Sequence, residues 1–332
     1  MFEDLASLTA TVAVEPNPAV PRTQRPFGIA LGGGAARGWA HIGVMRVLAR
    51  EGLVPHVIAG TSIGAVVGGC FACGKLDELE DFARTLTKRR VMGLMDFHLN
   101  GSGLIAGQRL RRMLSHHLGD IRIETLAPRF VAIATELGSG HEIWLTRGSI
   151  TEALRASYAL PGIFDAVRLG GRWLMDGALV NPIPVTAARA LGAEIVLCVN
   201  LNGSDTRGRG AVIPAHGTDE DLLAEEEAQA ARGLFAPVRG AAMRMRQFGR
   251  RSDGAPGIGA VMVDAFNITQ DRIARSRLAG DPPDVMVSPR LGRMGLFDFH
   301  RADEAIALGM EAAERALGEL REMLEVPLAE QR

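Results

Sequence analysis

Several absences limit what this chain of 332 residues can be. It has only three cysteines, too few for a disulfide-stapled secreted domain, which favours a reducing, cytoplasmic environment. Its 37 basic and 38 acidic residues nearly cancel, which argues against a nucleic-acid-binding protein. No secretory signal is recognisable, and no apolar run is long enough to span a bilayer. We therefore expect a cytoplasmic globular protein, with brief peripheral docking at a membrane surface left open.

No pattern for a metal or an organic cofactor is present either. Cys70 and Cys73 form a C-x-x-C pair, but no second pair follows to complete a zinc site, so we interpret both as helix-packing residues. A dinucleotide loop requires G-x-G-x-x-G and an acidic residue about twenty positions later. The glycine-rich segment 32–38 meets neither requirement, and no P-loop motif occurs. The sequence therefore predicts neither a cofactor nor a bound nucleotide.

Short apolar strands alternate with helical segments along much of the chain. The apolar pattern of residues 27–31 predicts a buried strand, and that of residues 39–48 predicts a helix ending at Gly52. A second strand is predicted at residues 53–58, and it leads into a second helix. Further buried strands are predicted at 130–135, 172–175 and 194–200. This alternation is typical of parallel sheets with right-handed crossovers. We predict an α/β fold with three layers, α/β/α, around a mainly parallel central sheet.

The remaining segments complete the predicted organisation. We predict a flexible tail at residues 1–25 and a single domain at residues 26–332. The core of this domain, which carries the motifs, covers about 27–201. A surface insertion is expected at about 202–259, with some helix at 222–229, and C-terminal helical packing at 260–332. A core-facing helix from Arg301 to about Leu324 is indicated by one apolar stripe: Ile306, Met310, Ala313, Leu317, Leu320 and Leu324.

One serine stands in a pattern typical of a catalytic nucleophile. The segment Gly60-Thr61-Ser62-Ile63-Gly64 has the G-x-S-x-G pattern between a predicted strand and a predicted helix. Flanking glycines permit a sharp, strained turn that exposes the hydroxyl at the positive end of the helix. Such strings also recur by chance in a chain with 40 glycines. In the alternative interpretation, Ser62 only caps the helix by accepting a hydrogen bond from a backbone N–H.

A nucleophile also requires a base and donors for the oxyanion. The backbone N–H groups of the glycine-rich segment 32–38 are candidates for the donors, because the segment joins a strand to a helix. Asp176, followed by Gly177, closes a predicted strand at the rim of the sheet, although an aspartate there equally stabilises the turn. His216 and His300 follow in the chain order of the α/β-hydrolases, so a catalytic triad also stays open.

These three motifs, in this order and spacing, resemble the patatin-like phospholipases. Supporting segments at 134–137, 155–157 and 160–164 resemble the bacterial branch of that family. The resemblance implies a patatin-like fold, related to the α/β-hydrolase architecture, and a dyad in which Ser62 is the nucleophile and Asp176 the base. It implies an oxyanion hole formed by Gly33, Gly34 and Ala35. The supporting motif residues are then Gly32, Arg37, Gly38, Gly60, Gly64 and Gly177.

The glycine-rich segment departs from the family pattern at two positions. Gly32 stands where the family commonly has aspartate, and Ala35 stands at its third glycine, although an alanine still offers its backbone N–H. Arg37 either fixes the loop, meets a phosphate headgroup, or is a surface charge. For the base to act on a serine hydroxyl, we expect burial to raise the pKa of Asp176.

The resemblance implies a hydrolase of lipid acyl esters that works through an acyl-enzyme, whether as phospholipase, lysophospholipase or esterase. Its partner would be a lipid or acyl-ester substrate. Two alternatives stay open: acyl transfer to an alcohol or lysolipid acceptor, and a non-catalytic lipid-binding module of the same fold. We expect the pocket walls at 91–104 and 202–259, with six apolar residues as candidates for an acyl channel or simple core packing: Leu94, Met95, Phe97, Leu99, Leu104 and Ile105.

Overall fold

The structure is a computed structural model that describes residues 25–94, 103–105, 107–202 and 258–325. The predicted tail up to residue 24 and the predicted insertion from 203 to 257, with its helix at 222–229, lie outside these residues. So do His98, His216 and three of the channel candidates, Met95, Phe97 and Leu99. The division of the chain into tail, core and insertion therefore stays a prediction.

Within these residues the chain forms ten strands and nine α-helices. The strands are β1 Phe27–Leu31, β2 Val57–Thr61, β3 Gly103–Ile105, β4 Arg129–Glu136, β5 Glu142–Leu145, β6 Gly162–Phe164, β7 Val167–Leu169, β8 Arg172–Asp176, β9 Ile195–Val199 and β10 Val285–Val287. The helices are α1 Trp39–Arg50, α2 Ile63–Ala72, α3 Leu76–Arg84, α4 Lys88–Leu94, α5 Gln108–Leu118, α6 Ile150–Ser157, α7 Val185–Ala190, α8 Ile258–Gly280 and α9 Ala302–Glu325.

The central sheet has the strand order β10-β9-β1-β2-β4-β8-β7, with β5 also paired to β4. Four neighbouring pairs, from β10–β9 to β2–β4, are parallel. The pairs of β4 with β5 and β8, and of β8 with β7, are antiparallel. The predicted, mainly parallel sheet is therefore confirmed, with an antiparallel edge that the sequence did not indicate.

Helices cover both faces of the sheet, as the side chains of β1 show. Phe27, Ile29 and Leu31 point into the larger apolar core, which contains residues of α1, α2 and α9. Ala30 points into a second core, which is completed by α7 and by Ala274 of α8. Because successive side chains of a strand face opposite sides, the five residues of β1 contribute to both cores. The three-layer α/β/α arrangement is thereby confirmed.

Two helices that are distant in the sequence cross at backbone contact. A Cβ atom added to Gly43 of α1 would lie 2.0 Å from the carbonyl oxygen of Ile306, and one added to Gly309 of α9 would lie 2.0 Å from that of Ala40. The predicted C-terminal helix is confirmed as α9, with Ile306 and Leu320 fully buried in the core. Helix α1, which follows the glycine-rich segment, is therefore held rigidly against α9.

The cysteines of the C-x-x-C pair pack in the interior. Cys70 is buried in α2, and Cys73, which ends that helix, is half-buried. Burial raises the pKa of the Cys70 thiol to about 12 and that of the Cys73 thiol to about 11. Neither thiol is thus a ready nucleophile near neutral pH. In the described part of the chain, no helix combines the length and the apolar character that crossing a membrane requires.

Candidate active site

The register of the sheet brings Ser62 and Asp176 to the same level. Thr61 at the end of β2 pairs with Ile133 of the parallel strand β4. The next residue of β4, Ala134, pairs with Asp176 of the antiparallel strand β8. Ser62 directly follows Thr61, so the serine and the aspartate lie level with each other on either side of β4. The antiparallel edge of the sheet therefore positions the aspartate.

Ser62 occupies a strained turn between β2 and α2. Its backbone has φ 57° and ψ −124°, a conformation that residues with a Cβ atom rarely adopt. The turn is packed too tightly for side chains at its two glycines, since a Cβ atom on Gly64 would lie 2.1 Å from the carbonyl oxygen of Leu31 and one on Gly60 2.5 Å from Ala65. The strained turn that the G-x-S-x-G pattern predicts at Ser62 is present.

The hydroxyl of Ser62 donates a hydrogen bond to the carboxylate of Asp176. The distance from Ser62 Oγ to Asp176 Oδ2 is 2.6 Å, and Ser62 makes no side-chain capping bond to α2. The other carboxylate oxygen, Oδ1, accepts a hydrogen bond from the Ala178 N–H at 2.8 Å. The capping alternative for Ser62 is therefore wrong. Asp176 does stabilise its turn, but with one oxygen only, which leaves the other for Ser62.

The backbone around this pair is also held by hydrogen bonds. The Ser62 N–H donates to the Ser157 hydroxyl at 2.9 Å. The Thr135 hydroxyl donates to the carbonyl oxygen of Asp176 at 2.8 Å. Ser157 and Thr135 are both buried, so water does not compete for these bonds. Together they fix the backbone of Ser62 and Asp176 relative to the sheet.

Burial makes Asp176 an unusually basic carboxylate. The residue is only 2% exposed, and burial raises its pKa to about 7, although the hydrogen bonds from Ser62 and Ala178 act in the opposite direction. The expected rise of this pKa is thus confirmed in direction. A carboxylate with a pKa near neutrality accepts a proton more readily than an ordinary aspartate and is still ionised at slightly alkaline pH.

The glycine-rich segment lies beside this pair. A Cβ atom added to Gly33 would lie 3.6 Å from the Cβ of Ser62. The Gly33 N–H donates to the carbonyl oxygen of Pro182 at 3.0 Å, so this group is engaged in holding the loop. The N–H groups of Gly34 and Ala35 have no acceptor among the residues that the structure describes. Of the three predicted oxyanion donors, Gly34 and Ala35 are therefore the available ones.

The other motif residues support the packing of the site. Arg37 is buried, and its guanidinium donates to the carbonyl of Met294 at 2.9 Å and to the side chain of Asn202 at 3.1 Å. It therefore fixes the loop, and it is not a surface charge. Three glycines are required by close approach: a Cβ atom would lie 3.0 Å or less from neighbouring atoms at Gly32, Gly38 and Gly177.

No histidine of the described residues lines the space around Ser62. His41 is fully buried in α1, where its Nε2 donates to the carbonyl oxygen of Gly32 at 2.8 Å, and burial lowers its pKa to about 4. His300 lies in a short 3-10 turn, Phe299–Arg301, and does not line the cavity, whereas the neighbouring Phe299 does. Asp176 is thus the base candidate that the described residues place beside Ser62.

Ser62 and Asp176 open into an apolar cavity of about 180 Å³. Val91 contributes to its wall, within the range that we predicted for the pocket. Eight lining residues come from helices that were not predicted to form the wall, namely α3, α5 and α8: Leu79, Phe82, Leu110, Met113, Leu114, Phe266, Asn267 and Gln270. Such a cavity can take an apolar chain with one end at the Ser62 hydroxyl.

Comparison with known proteins agrees with this geometry. A family model described as patatin-like phospholipase matches residues 29–189. The uncharacterized NTE family protein Rv1063c of Mycobacterium tuberculosis is 32% identical over 331 residues, covering 87% of this chain and 90% of that protein. The chain belongs to the patatin-like phospholipase family. Membership supports a lipid hydrolase activity in general terms.

Other matches to this chain are partial or more distant. The uncharacterized NTE family protein Rv2565 of Mycobacterium tuberculosis is 29% identical, covering 88% of this chain and 46% of that protein. Patatin-like phospholipase domain-containing protein 7 of Mus musculus is 29% identical, covering 55% of this chain and 14% of that protein. The crystal structure of VipD from Legionella pneumophila matches with a TM-score of 0.43 and 11% identity, over 89% of this chain and 67% of that one.

Sequence reasoning missed two features of the site. Ser157 was noted only as part of a supporting segment, because its contact with the Ser62 N–H leaves no sequence pattern. The wall from α3 and the residues just after it had a usable signal, since Leu79, Phe82 and Leu86 follow helical spacing and all line the cavity. That spacing predicts an apolar face but does not tell what the face packs against.

Proposed function

We propose that this chain is a serine hydrolase of lipid acyl esters, with Ser62 as nucleophile and Asp176 as general base. One observation carries the proposal: the strained Ser62 donates a 2.6 Å hydrogen bond to a buried carboxylate at an apolar cavity. The arrangement meets the requirements for covalent catalysis, in which the nucleophile and its base lie within hydrogen-bond reach. The cavity suits an acyl chain.

In the first half-reaction, Ser62 Oγ attacks the ester carbonyl carbon while its proton passes to Asp176 Oδ2. The carbonyl oxygen becomes an oxyanion that faces the available N–H groups of Gly34 and Ala35. Asp176 then returns the proton to the leaving alkoxide, and the C–O bond of the ester breaks to give the acyl-enzyme and the free alcohol. In the second half-reaction, water attacks the acyl carbon while Asp176 accepts one of its protons. The bond between the acyl carbon and Ser62 Oγ then breaks, the proton passes from Asp176 to Oγ, and the fatty acid leaves.

The raised pKa of Asp176 supports this division of roles. An ordinary aspartate is a poor match for the proton of a hydroxyl, whereas a carboxylate with a pKa of about 7 is closer to the operating pH. As the proton arrives, the buried carboxylate loses the charge that burial disfavours. Proton transfer from Ser62 and relief of the buried charge therefore occur in the same step.

The test is the hydrolysis of a chromogenic acyl ester by two variants. Ser62→Ala removes the nucleophile and Asp176→Asn removes the base with little change of shape, so each is expected to lower kcat by about 1,000-fold or more. Matched controls are Ser115→Ala and Asp120→Asn, since both residues are exposed and neither lines the cavity. Far-UV circular dichroism checks that each variant keeps its fold.

A fluorophosphonate probe separates this proposal from its alternatives. Wild-type protein is expected to be labelled at Ser62, and Ser62→Ala is expected not to be labelled. If folded wild type resists the probe, the chain is a non-catalytic module instead. If Asp176→Asn keeps full activity, the base is another group. If products formed with a competing alcohol are mainly new esters, the acyl-enzyme is resolved by acyl transfer and not by hydrolysis.

A further inference from the structure

Helix α8 contributes two amide side chains to the cavity. Asn267 and Gln270 line the same cavity as Ser62 and Asp176. They are three positions apart, so they lie next to each other on one face of the helix. Gln270 is only 4% exposed, and Asn267 is half-buried. Two neutral groups that both donate and accept hydrogen bonds therefore face the space in which a substrate would react.

The described part of the chain leaves the hydrogen bonding of these two amides open. Neither the side chain of Asn267 nor that of Gln270 has a hydrogen-bond partner among the residues that the structure describes. The Trp39 indole N–H of the same wall, in contrast, donates to the carbonyl oxygen of Phe299 at 3.2 Å. Because both amides line the cavity, a ligand that supplies donors and acceptors there pairs with groups that no described residue occupies.

The position of the amides is fixed by the rest of α8. Ala274, four residues after Gln270 and on the same face, is buried in the core beneath the sheet. Arg277, three residues further, donates to the Glu142 carboxylate at 2.9 Å. Because these two contacts prevent rotation of the helix about its axis, Gln270 stays directed at the cavity. The amide pair is thus a preformed feature of the cavity wall.

The charge of the cavity decides which ligand group suits the amides. The lining residues that the structure describes include no lysine, arginine or histidine, and Asp176 is their only ionisable acid. A phosphate placed inside would be buried without a cation and close to a carboxylate, which is unfavourable. A hydroxyl group is neutral and both donates and accepts hydrogen bonds, as an amide does. The chemistry therefore matches an alcohol with free hydroxyl groups.

We propose that Asn267 and Gln270 bind the free hydroxyl groups of the alcohol part of the ester, so that the preferred substrates are acyl esters of a polyol such as glycerol. This inference rests on the proposed function, because it assigns the acyl chain to the apolar wall and the ester carbon to Ser62. It adds a specificity determinant on α8. Any charged headgroup attached to the polyol would then lie outside the cavity.

The test compares two octanoyl esters that differ only in hydroxyl groups: 1-octanoylglycerol and propyl octanoate. Wild type is expected to prefer octanoylglycerol in kcat/KM by about 10- to 100-fold, the range expected for a buried hydrogen-bond partner left unmatched. Gln270→Met keeps the size of the side chain and removes one of the two amides, so the ratio is expected to fall severalfold, and in the double variant Asn267→Leu/Gln270→Met it is expected to fall to about one. Arg272→Met, at an exposed position of the same helix, is the matched control and should keep the wild-type ratio.

Three outcomes would overturn the inference. The first is a wild type without preference between the two esters, and the second is a Gln270→Met variant that keeps the wild-type ratio. The third is a wild-type preference for 1-octanoyl-glycerophosphocholine over octanoylglycerol that Gln270→Met abolishes, which would place a phosphate inside the cavity. If neither octanoyl ester is cleaved in a Ser62-dependent manner, the proposed hydrolase function fails as well.

Discussion

The two sides of the cavity differ in how their polar groups are satisfied. On the sheet side, formed by the ends of β2 and β8, both carboxylate oxygens of Asp176 and the N–H and hydroxyl of Ser62 are hydrogen bonded. On the helix side, formed by α3, α5 and α8, Asn267 and Gln270 have no partner among the described residues. The side chains of the sheet side are therefore satisfied without a ligand, whereas the amides of the helix side stay open to one.

Backbone strain is distributed in the same way. Among the described residues, the non-glycine residues with positive φ are Ala35 and Ser62, and both lie on the sheet side. Strain of this kind persists only where the surrounding structure holds the backbone in place, and it is concentrated at functional sites. The difference teaches that this fold holds Ser62 and Asp176 rigidly, and under our proposal it leaves recognition of the alcohol to a helix from another part of the chain.

The largest expected effect is on the pH dependence of activity, and it tests the sheet side of the cavity. Burial holds the pKa of Asp176 at about 7, and only the ionised form accepts the proton of Ser62. We therefore expect kcat/KM for a neutral ester to rise about tenfold per pH unit below pH 7, about 100-fold between pH 5 and pH 8 in total, and then to level off. A midpoint near pH 4 would show an ordinary carboxylate and contradict the proposed environment of Asp176.

A smaller effect is expected on the preference for acyl-chain length, and it tests the helix side of the cavity. Met113 of α5 lines the cavity and is half-buried, so its size can be changed without opening the core. Met113→Phe fills space and is expected to lower kcat/KM for a decanoyl ester relative to a butanoyl ester by about tenfold, whereas Met113→Ala should raise the same ratio. The two variants are controls for each other, because they change the size of the same side chain in opposite directions. If both keep the same ratio of kcat/KM for the decanoyl and butanoyl esters, the acyl chain does not lie against α5.

The parts of the fold that could be predicted are those with long, regular apolar patterns. Strands β1, β4 and β9 and helix α9 carry enough periodic residues to be recognised. Strands β5 and β7 have only four and three residues, too short for a period, and so the antiparallel edge was missed. That edge matters, because its register places Asp176 level with Ser62.

The same limit applies to the site. Ser62 and the glycine-rich segment could be found because a sharp turn demands glycines at fixed spacings, which leave a local pattern. The choice of Asp176 over a histidine rested on the family resemblance, since one aspartate before a glycine is ambiguous. The roles of Ser157 and Gln270 depend on contacts between segments about one hundred to two hundred residues apart, which no local pattern records.

The smallest expected effect is on thermal stability. It tests whether the buried charge of Asp176 destabilises the sheet side of the cavity. The folded-state pKa of Asp176 is raised from 3.8 to about 7, so the stability that this carboxyl contributes is fully present below pH 3.8 and is lost as the pH rises through 7. Asp176→Asn carries no charge at any pH. Its melting temperature should therefore exceed that of wild type at pH 8, and the difference should shrink by about 5 °C or more at pH 5.

Asp120→Asn, at an exposed position, should show no such trend. The contrary outcome is a melting-temperature difference between Asp176→Asn and wild type that does not change with pH. The surroundings of Asp176 would then not destabilise its charged form, and burial would not be the cause of a raised pKa.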